Sequence, residues 1–370
     1  MTRLREALGD IAAEAPLVNL AEAAIAGHRR RRRATVALAA VTTAVVVGVT
    51  GLAVTLPERL RAGQATVPAS GAEVPDLPEG GVGKLSHAYQ TPCEWDPATK
   101  QCTEAEWRVV TAAGRTYRLP RATVATRDPR VPVAISRDGR MLAYHSAEAQ
   151  AHIVRDMVTG TEVTSPVTVR EEDIQGGSML VISDDGRYLV FDPKEGSKYP
   201  GVLIDTRTGK RTTINGKYEA VAIKDGIVEL VRYVKTDLWL MPVKGGGKPV
   251  RFDGTFIMFS EVAPDGRTVV AWEHPGRKKV RRPELTVLDA KTGRTVRKVA
   301  IRGLPAARQS LDNTGVWRSA REVTVKVGGK MGAATYGVDI ATGKARLLAE
   351  YDDDIGPMTL TLPGNAGGVY

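Results

Sequence analysis

Five copies of a paired-turn motif, a mean spacing of 44 residues between them, and β-branched or aliphatic runs between the turns predict an all-β fold. That fold is a six-bladed β-propeller, preceded by a single transmembrane α-helix. Composition agrees: 42% hydrophobic residues, 5% aromatic, 38 Gly and 21 Pro describe a turn-rich folded chain, not a helical bundle, a coiled coil or a polytopic membrane protein. Two cysteines are too few for a disulfide scaffold or a zinc ribbon, and five scattered histidines leave little for a metal site.

The amino-terminal segment 1–33 reads as helical with a break at Pro16, and Leu4, Leu8, Ile11 and Ala15 recur on one face. It ends in Arg29, Arg30, Arg31, Arg32 and Arg33. The next 23 residues, 34–56, carry no charge. As a helix they reach roughly 30 Å, the thickness of a bilayer's hydrocarbon core. The arginines against the weaker flank of Glu58, Arg59 and Arg61 orient the span with its amino terminus inside and the rest outside the cell membrane. A cleaved signal peptide is the rival, but the leader is long and acidic in places, and no A-x-A site follows Leu56.

Segment 57–104 reads as a Pro- and Gly-rich linker that carries Cys93 and Cys102. Eight residues separate the two, too many for a redox C-x-x-C pair. Outside the membrane they are expected to form a local structural disulfide.

Domain 105–365 carries the repeat. Its first turns are Asp138-Gly139, Asp185-Gly186, Asp225-Gly226, Asp265-Gly266 and, in the fifth unit, Gly315, spaced by 47, 40, 40 and 49 residues. Its second turns end at Gly160, Gly209, Gly245, Gly293 and Gly343, and in four of them Asp156, Asp205, Asp289 and Asp339 stand three residues before Thr-Gly. Glycine supplies the positive φ of a tight hairpin, and the aspartate is placed to accept turn N–H groups. Each unit is therefore two hairpins, four strands. Residues 107–120 read as one further hairpin and 358–363 as a short strand, so a sixth blade closes the ring from both ends. A seventh would require strands from 84–105.

The pattern S-x-D-G-R followed by D-x-x-T-G resembles the repeats of TolB-type, WD-repeat-like bacterial β-propellers, over residues 131–350, about 60% of the chain. The resemblance implies the fold; such propellers serve as binding platforms, assembly factors and enzyme appendages. The third unit departs from it by lacking D-x-x-T-G, and no WD dipeptide is present.

No G-x-S-x-G, H-E-x-x-H, Walker A or strand-following G-x-G-x-x-G occurs, so no catalytic or cofactor site is assigned. His145, His152 and His274 read as isolated surface histidines, and the acidic run Asp352, Asp353, Asp354 as a solvated turn. Residues 107–370 hold 41 Lys or Arg against 30 Asp or Glu, densest at Arg277, Lys278, Lys279, Arg281 and Arg282. On an outward-facing domain that charge suits an anionic envelope polymer or lipid headgroups, not nucleic acid.

The expected function is a non-catalytic binding or scaffold module at the cell envelope, engaging a protein or polymer. Two alternatives stand beside it. One is a propeller hydrolase or lyase with an unrecognised site. The other is a transmembrane regulator with the propeller as sensor, since the layout resembles membrane-bound anti-sigma factors; residues 1–33 would then bind a cytoplasmic regulator, although they lack an H-x-x-x-C-x-x-C zinc pattern.

Overall fold

The computed structural model describes residues 73–92, 94–96, 101–103, 105–124, 132–174, 177–194, 199–233, 235–274, 283–306, 310–328, 332–352 and 355–365. The arginine run, the predicted span 34–56, Cys93 and the cluster Arg277, Lys278, Lys279, Arg281, Arg282 lie outside them. No helix among the described residues is long and apolar enough to cross a membrane.

Six four-stranded antiparallel sheets follow one another along the chain. Blade 1 takes β1 (Leu85–Gln90), β4 (Trp107–Thr111) and β5 (Thr116–Arg118). A small separate hairpin, β2 (Glu94–Asp96) and β3 (Gln101–Thr103), pairs Trp95 with Cys102 between β1 and β4. Blade 2 is β6 (Ala134–Ile135), β7 (Met141–Ser146), β8 (Ala151–Asp156) and β9 (Glu162–Thr168). Blade 3 is β10 (Met179–Ile182), β11 (Tyr188–Asp192), β12 (Gly201–Asp205) and β13 (Arg211–Ile214). Blade 4 is β14 (Glu219–Lys224), β15 (Ile227–Arg232), β16 (Asp237–Pro242) and β17 (Val250–Arg251). Blade 5 is β18 (Phe256–Ile257), β19 (Thr268–Glu273), β20 (Glu284–Asp289) and β21 (Thr295–Ala300). Blade 6 is β22 (Ser310–Trp317), β23 (Glu322–Gly328), β24 (Ala334–Asp339) and β25 (Ala345–Glu350). The last strand, β26 (Leu360–Thr361), returns to blade 1, pairing Ala88 with Thr361 and Tyr89 with Leu360. The ring closes through both ends of the domain, which satisfies backbone groups that an open ring would leave unpaired.

The fold is thus the six-bladed propeller the repeats predict. Strand β1 lies within 84–105, but it completes blade 1 and adds no seventh blade. The domain also begins earlier than residue 105. Residues 73–84 run as a strap from the outer strand of blade 1 to the β8–β9 turn of blade 2. Asp76 forms a parallel bridge with Arg118, and the buried Arg155 donates to the carbonyls of Pro78, Glu79 and Gly80. This strap supplements β5, which has only three residues.

Each hydrophobic cluster lies between two neighbouring blades, and six such clusters match six interfaces. The second and third strands are apolar on both faces because both faces meet a neighbour; β7, for instance, buries five consecutive residues. Outer strands face water on one side, and β21 is exposed at every position except Val299.

Antiparallel order puts the first and third connections of every blade at one end of the ring, the turn end, and the remaining connections at the other, the loop end. The aspartate of each D-x-x-T-G turn caps it as expected: Asp205 Oδ1 accepts from the N–H groups of Arg207 and Thr208, at 3.0 and 3.3 Å. Asp156, Asp289 and Asp339 do the same. Its other oxygen takes an arginine from the adjacent D-G-R turn: Arg140 with Asp156 at 2.7 Å, Arg187 with Asp205 at 2.8 Å, Arg267 with Asp289 at 2.7 Å. These guanidinium hydrogen bonds hold Asp156 and Asp289 down to about 2. The two motif turns of a blade are thereby locked to each other.

The fifth repeat corrects one assignment. Gly315 sits inside β22, not at a turn; an added Cβ there would meet Thr324 Oγ1 at 2.5 Å and Asn365 Oδ1 at 2.7 Å. The turn is Arg318–Arg321, where Ser319 Oγ accepts from the N–H groups of Arg321 and Glu322, at 3.2 and 3.0 Å. Serine and alanine here occupy the places held by aspartate and glycine in the other units, which disguised the turn.

Candidate functional site

In blade 5 the short β18 is followed by Met258 at φ 55°, and Ser260 rejoins the ladder through Val270 on the way to the turn end. This irregular inner edge brings Glu261 to the mouth of the central channel. Arg137, in the turn between β6 and β7, reaches across to it: its Nε donates to Glu261 Oε1 at 2.9 Å and its Nη2 to the Trp317 carbonyl at 2.8 Å. Glu261 Oε1 also accepts the Trp317 N–H at 2.9 Å, and Trp317 Nε1 donates to the Glu261 carbonyl at 2.7 Å. The Arg137 N–H donates to Asp184 Oδ1 at 2.9 Å. One arginine therefore links blades 2, 3, 5 and 6. The hollow behind it, lined by Val221, Phe259, Glu261 and Asn313, holds about 10 Å³. That is room for roughly one water.

Beside this clamp, between blades 4 and 5, lies a cavity of about 460 Å³ lined by residues that include Arg137, Lys224, Asp225, Glu229, Leu240 and Val262. Its size falls within the ~300–1,000 Å³ of small-molecule sites. Glu229, on β15, is 2% exposed; its Oε1 accepts the Val262 N–H at 2.6 Å, and its Oε2 has no hydrogen-bond partner among the described residues. Burial, with a further push from the nearby Glu261 carboxylate, raises the Glu229 carboxyl to about 8, so it is mostly protonated at neutral pH. Lys224 donates to the Val262 carbonyl at 3.3 Å, a neutral partner, and forms no ion pair among the described residues. A larger hollow of about 970 Å³ lies on the outer rim, lined by Lys235, Arg251, Asp253 and Arg294 among others, but it is open and Arg251 is already paired with Asp237.

The loop end holds a second polar group. His145 and His152 face each other across β7 and β8 with ring centroids 5.6 Å apart, each 1% exposed. The expectation of surface histidines fails here because the second and third strands of a blade are covered on both faces. The Val169 carbonyl, 2.8 Å from His145 Nε2, requires a proton on that nitrogen; Nδ1 then accepts from Thr123 Oγ1 at 2.8 Å. Burial lowers both imidazoles, His152 to about 3, so the pair is neutral at pH 7. His152 Nδ1 has no hydrogen-bond partner among the described residues. His274 is exposed at the end of β19, remote in sequence from this pair.

The predicted turn residues Asp138, Gly139, Asp185, Gly186, Asp225, Gly226, Asp265 and Gly266 all stand in first-connection turns, and the D-x-x-T-G residues in third-connection turns. Their roles are structural. Sequence reading missed the Arg-to-Asp lock, although it left a signal: in unit three both the D-G-R arginine and the D-x-x-T-G aspartate are missing together. It also missed Arg137, Glu261 and Glu229. Arg137 and Glu261 are 124 residues apart, and nothing local distinguishes them.

No family model matches this chain, and no curated protein matches it. Among solved structures it is similar to TolB from Acinetobacter baumannii, at 15% identity over 75% of this chain and 67% of that one, TM-score 0.48. It is also similar to the acylaminoacyl peptidase of Pyrococcus horikoshii, at 13% identity over 71% of this chain and TM-score 0.45, and it covers only 46% of that chain. Hydrazine synthase from Kuenenia stuttgartiensis shares 15% identity over 61% of this chain and 68% of that chain, with a TM-score of 0.41. Likeness at this level lies in the fold alone, and the six blades rest on the strand order described above.

Proposed function

We propose that this protein is a non-catalytic binding module: a propeller held outside the cell membrane by segment 34–56, with Arg29–Arg33 on the cytoplasmic side. The observation that carries the binding reading is the preformed cavity of about 460 Å³ at the turn end, where groups from blades 2, 4 and 5 meet. The clamp holds Arg137 in place at one wall, which lowers the ordering cost of occupancy there. Catalysis would need a second reactive group near Glu229, and its acidic neighbour Glu261 is already committed to Arg137 and Trp317. The anchor and the orientation rest on the charge pattern of the sequence.

Affinity capture from solubilised membranes tests the reading. The full chain is expected to retain a partner or ligand that an Arg137→Glu variant, folded by circular dichroism, loses. Protease added to intact cells is expected to cleave within 105–365 and spare 1–33; protection of 105–365 would overturn the orientation. One observation favours the enzyme alternative: a carboxyl protonated near neutral pH beside an open cavity is what a general acid requires. Substrate turnover lost in Glu229→Gln with capture intact would decide for it.

A further inference from the structure

The cavity between blades 4 and 5 contains two groups that the fold leaves incompletely used. Among the described residues Glu229 is buried with Oε2 unpartnered, and Lys224 donates to a neutral carbonyl and forms no ion pair. An uncharged acid beside an unneutralised ammonium is a poor site for a cation and a good one for an anion that accepts hydrogen bonds.

We propose that this cavity binds the carboxylate of a small organic acid or a peptide C-terminus, held between the Lys224 ammonium and the Glu229 side chain. One ligand oxygen takes the ammonium and the other, once the Glu229 side chain turns its buried Oε2 toward the cavity, accepts the Oε2–H proton, which satisfies the orphaned atom. This deepens the binding-module reading and rests on it. The groups around Glu229 set the sign of its pH dependence. Glu261, from the inner edge of blade 5, disfavours a second negative charge, and Arg137 already neutralises Glu261. Lys224, from β14, favours the ionised form of Glu229, but burial outweighs it. Asp225 stands at the exposed turn beside the opening. A carboxylate placed next to Glu229 therefore demands that Glu229 be protonated, and binding weakens as pH rises past about 8. Amines are repelled by Lys224, and C-terminal amides, which bring no negative charge, are expected to bind more weakly than the acid.

Isothermal titration of the full chain in detergent, with succinate, acetyl-trialanine, acetyl-trialanine amide and propylamine as probes, tests this. Succinate or the free-acid peptide is expected to bind saturably at pH 6.5 and about tenfold more weakly at pH 9. Whichever of the two binds identifies a free acid or a peptide terminus as the source. Lys224→Met is expected to lose about tenfold or more in affinity, the effect of removing one charged hydrogen bond. Glu229→Gln keeps a donor at the same place and is expected to bind with no pH dependence between 6.5 and 9. Equal binding of the amide, no binding of either acid at millimolar concentration, or a Glu229→Gln variant that retains the pH dependence would overturn the proposal. Failure of these probes with partner capture intact would leave the binding-module reading standing and remove only this ligand.

Discussion

Replacing Gly293 and, separately, Gly226 with alanine isolates what holds neighbouring blades together. Both glycines have nearly the same backbone, φ 72° and φ 73°. Alanine therefore meets the same left-handed penalty at each, about 1 kcal/mol. Their surroundings differ. A Cβ at Gly226 would have nothing within 4 Å, whereas at Gly293 it would fall on the Arg251 carbonyl oxygen of blade 4, well inside the 3.0 Å that Cβ atoms essentially never breach. Since that neighbour is backbone, blades 4 and 5 must separate locally, adding about 1–3 kcal/mol of overpacking. Gly226→Ala is expected to lower the unfolding temperature by about 2 °C and Gly293→Ala by about 4–8 °C, at roughly 2 °C per kcal/mol for a domain of this size. Calorimetry, with urea midpoints and m-values to confirm an unchanged transition, measures both. Equal shifts for the two variants would refute the claim that the Thr-Gly turns are close inter-blade contacts. Gly343 and the Ala300 carbonyl offer an independent repeat of the comparison.

Arg137→Met strands the buried carboxylate of Glu261, 2% exposed, and is expected to cost about 3 kcal/mol by urea denaturation, with part recovered in Arg137→Met/Glu261→Gln. Recovery of nothing would mean the clamp is not an ion pair in solution. The His152 imidazole is lowered by burial from 6.5 to about 3, so the folded state binds fewer protons. Its stability contribution is present above pH 6.5 and lost as pH falls toward 3, at up to about 1.4 kcal/mol per pH unit. His152→Phe should flatten that slope by one proton, and an unchanged slope would contradict a neutral buried imidazole. Glu229 runs the other way. Its carboxyl is raised from 4.5 to about 8, so stability is full below pH 4.5 and falls as pH rises toward 8. Glu229→Gln should therefore gain on the parent protein between those limits, and a parallel pH profile would show that Glu229 is ionised in the fold.

The blade count, the order of strands and the aspartate-capped turns were legible because they depend on local chemistry repeated at a fixed period. Asp-Gly and Asp-x-x-Thr-Gly state their own hydrogen bonds, since donor and acceptor lie within five residues of each other. The fifth repeat shows the limit of that legibility. Ser319 and Ala320 make the turn without the motif, while Gly315 offers a glycine for a different reason, the close approach of Thr324 and Asn365. Residues 73–90 were read as linker because strap and β1 have weak patterns of their own. They become structured through Arg155, Arg118 and the returning β26, partners far along the chain.

By itself the sequence determined the repeating unit, the ring closure from both ends and the charged flank of the apolar run 34–56. Only the tertiary structure decided which polar residues meet. Arg137 finds Glu261 across the channel mouth, Glu229 is desolvated between two blades, and His145 is buried against His152. A ring brings its inner edges together irrespective of distance along the chain. Burial and opposing charge, the forces that shift a carboxyl or an imidazole, arise only after the blades have packed.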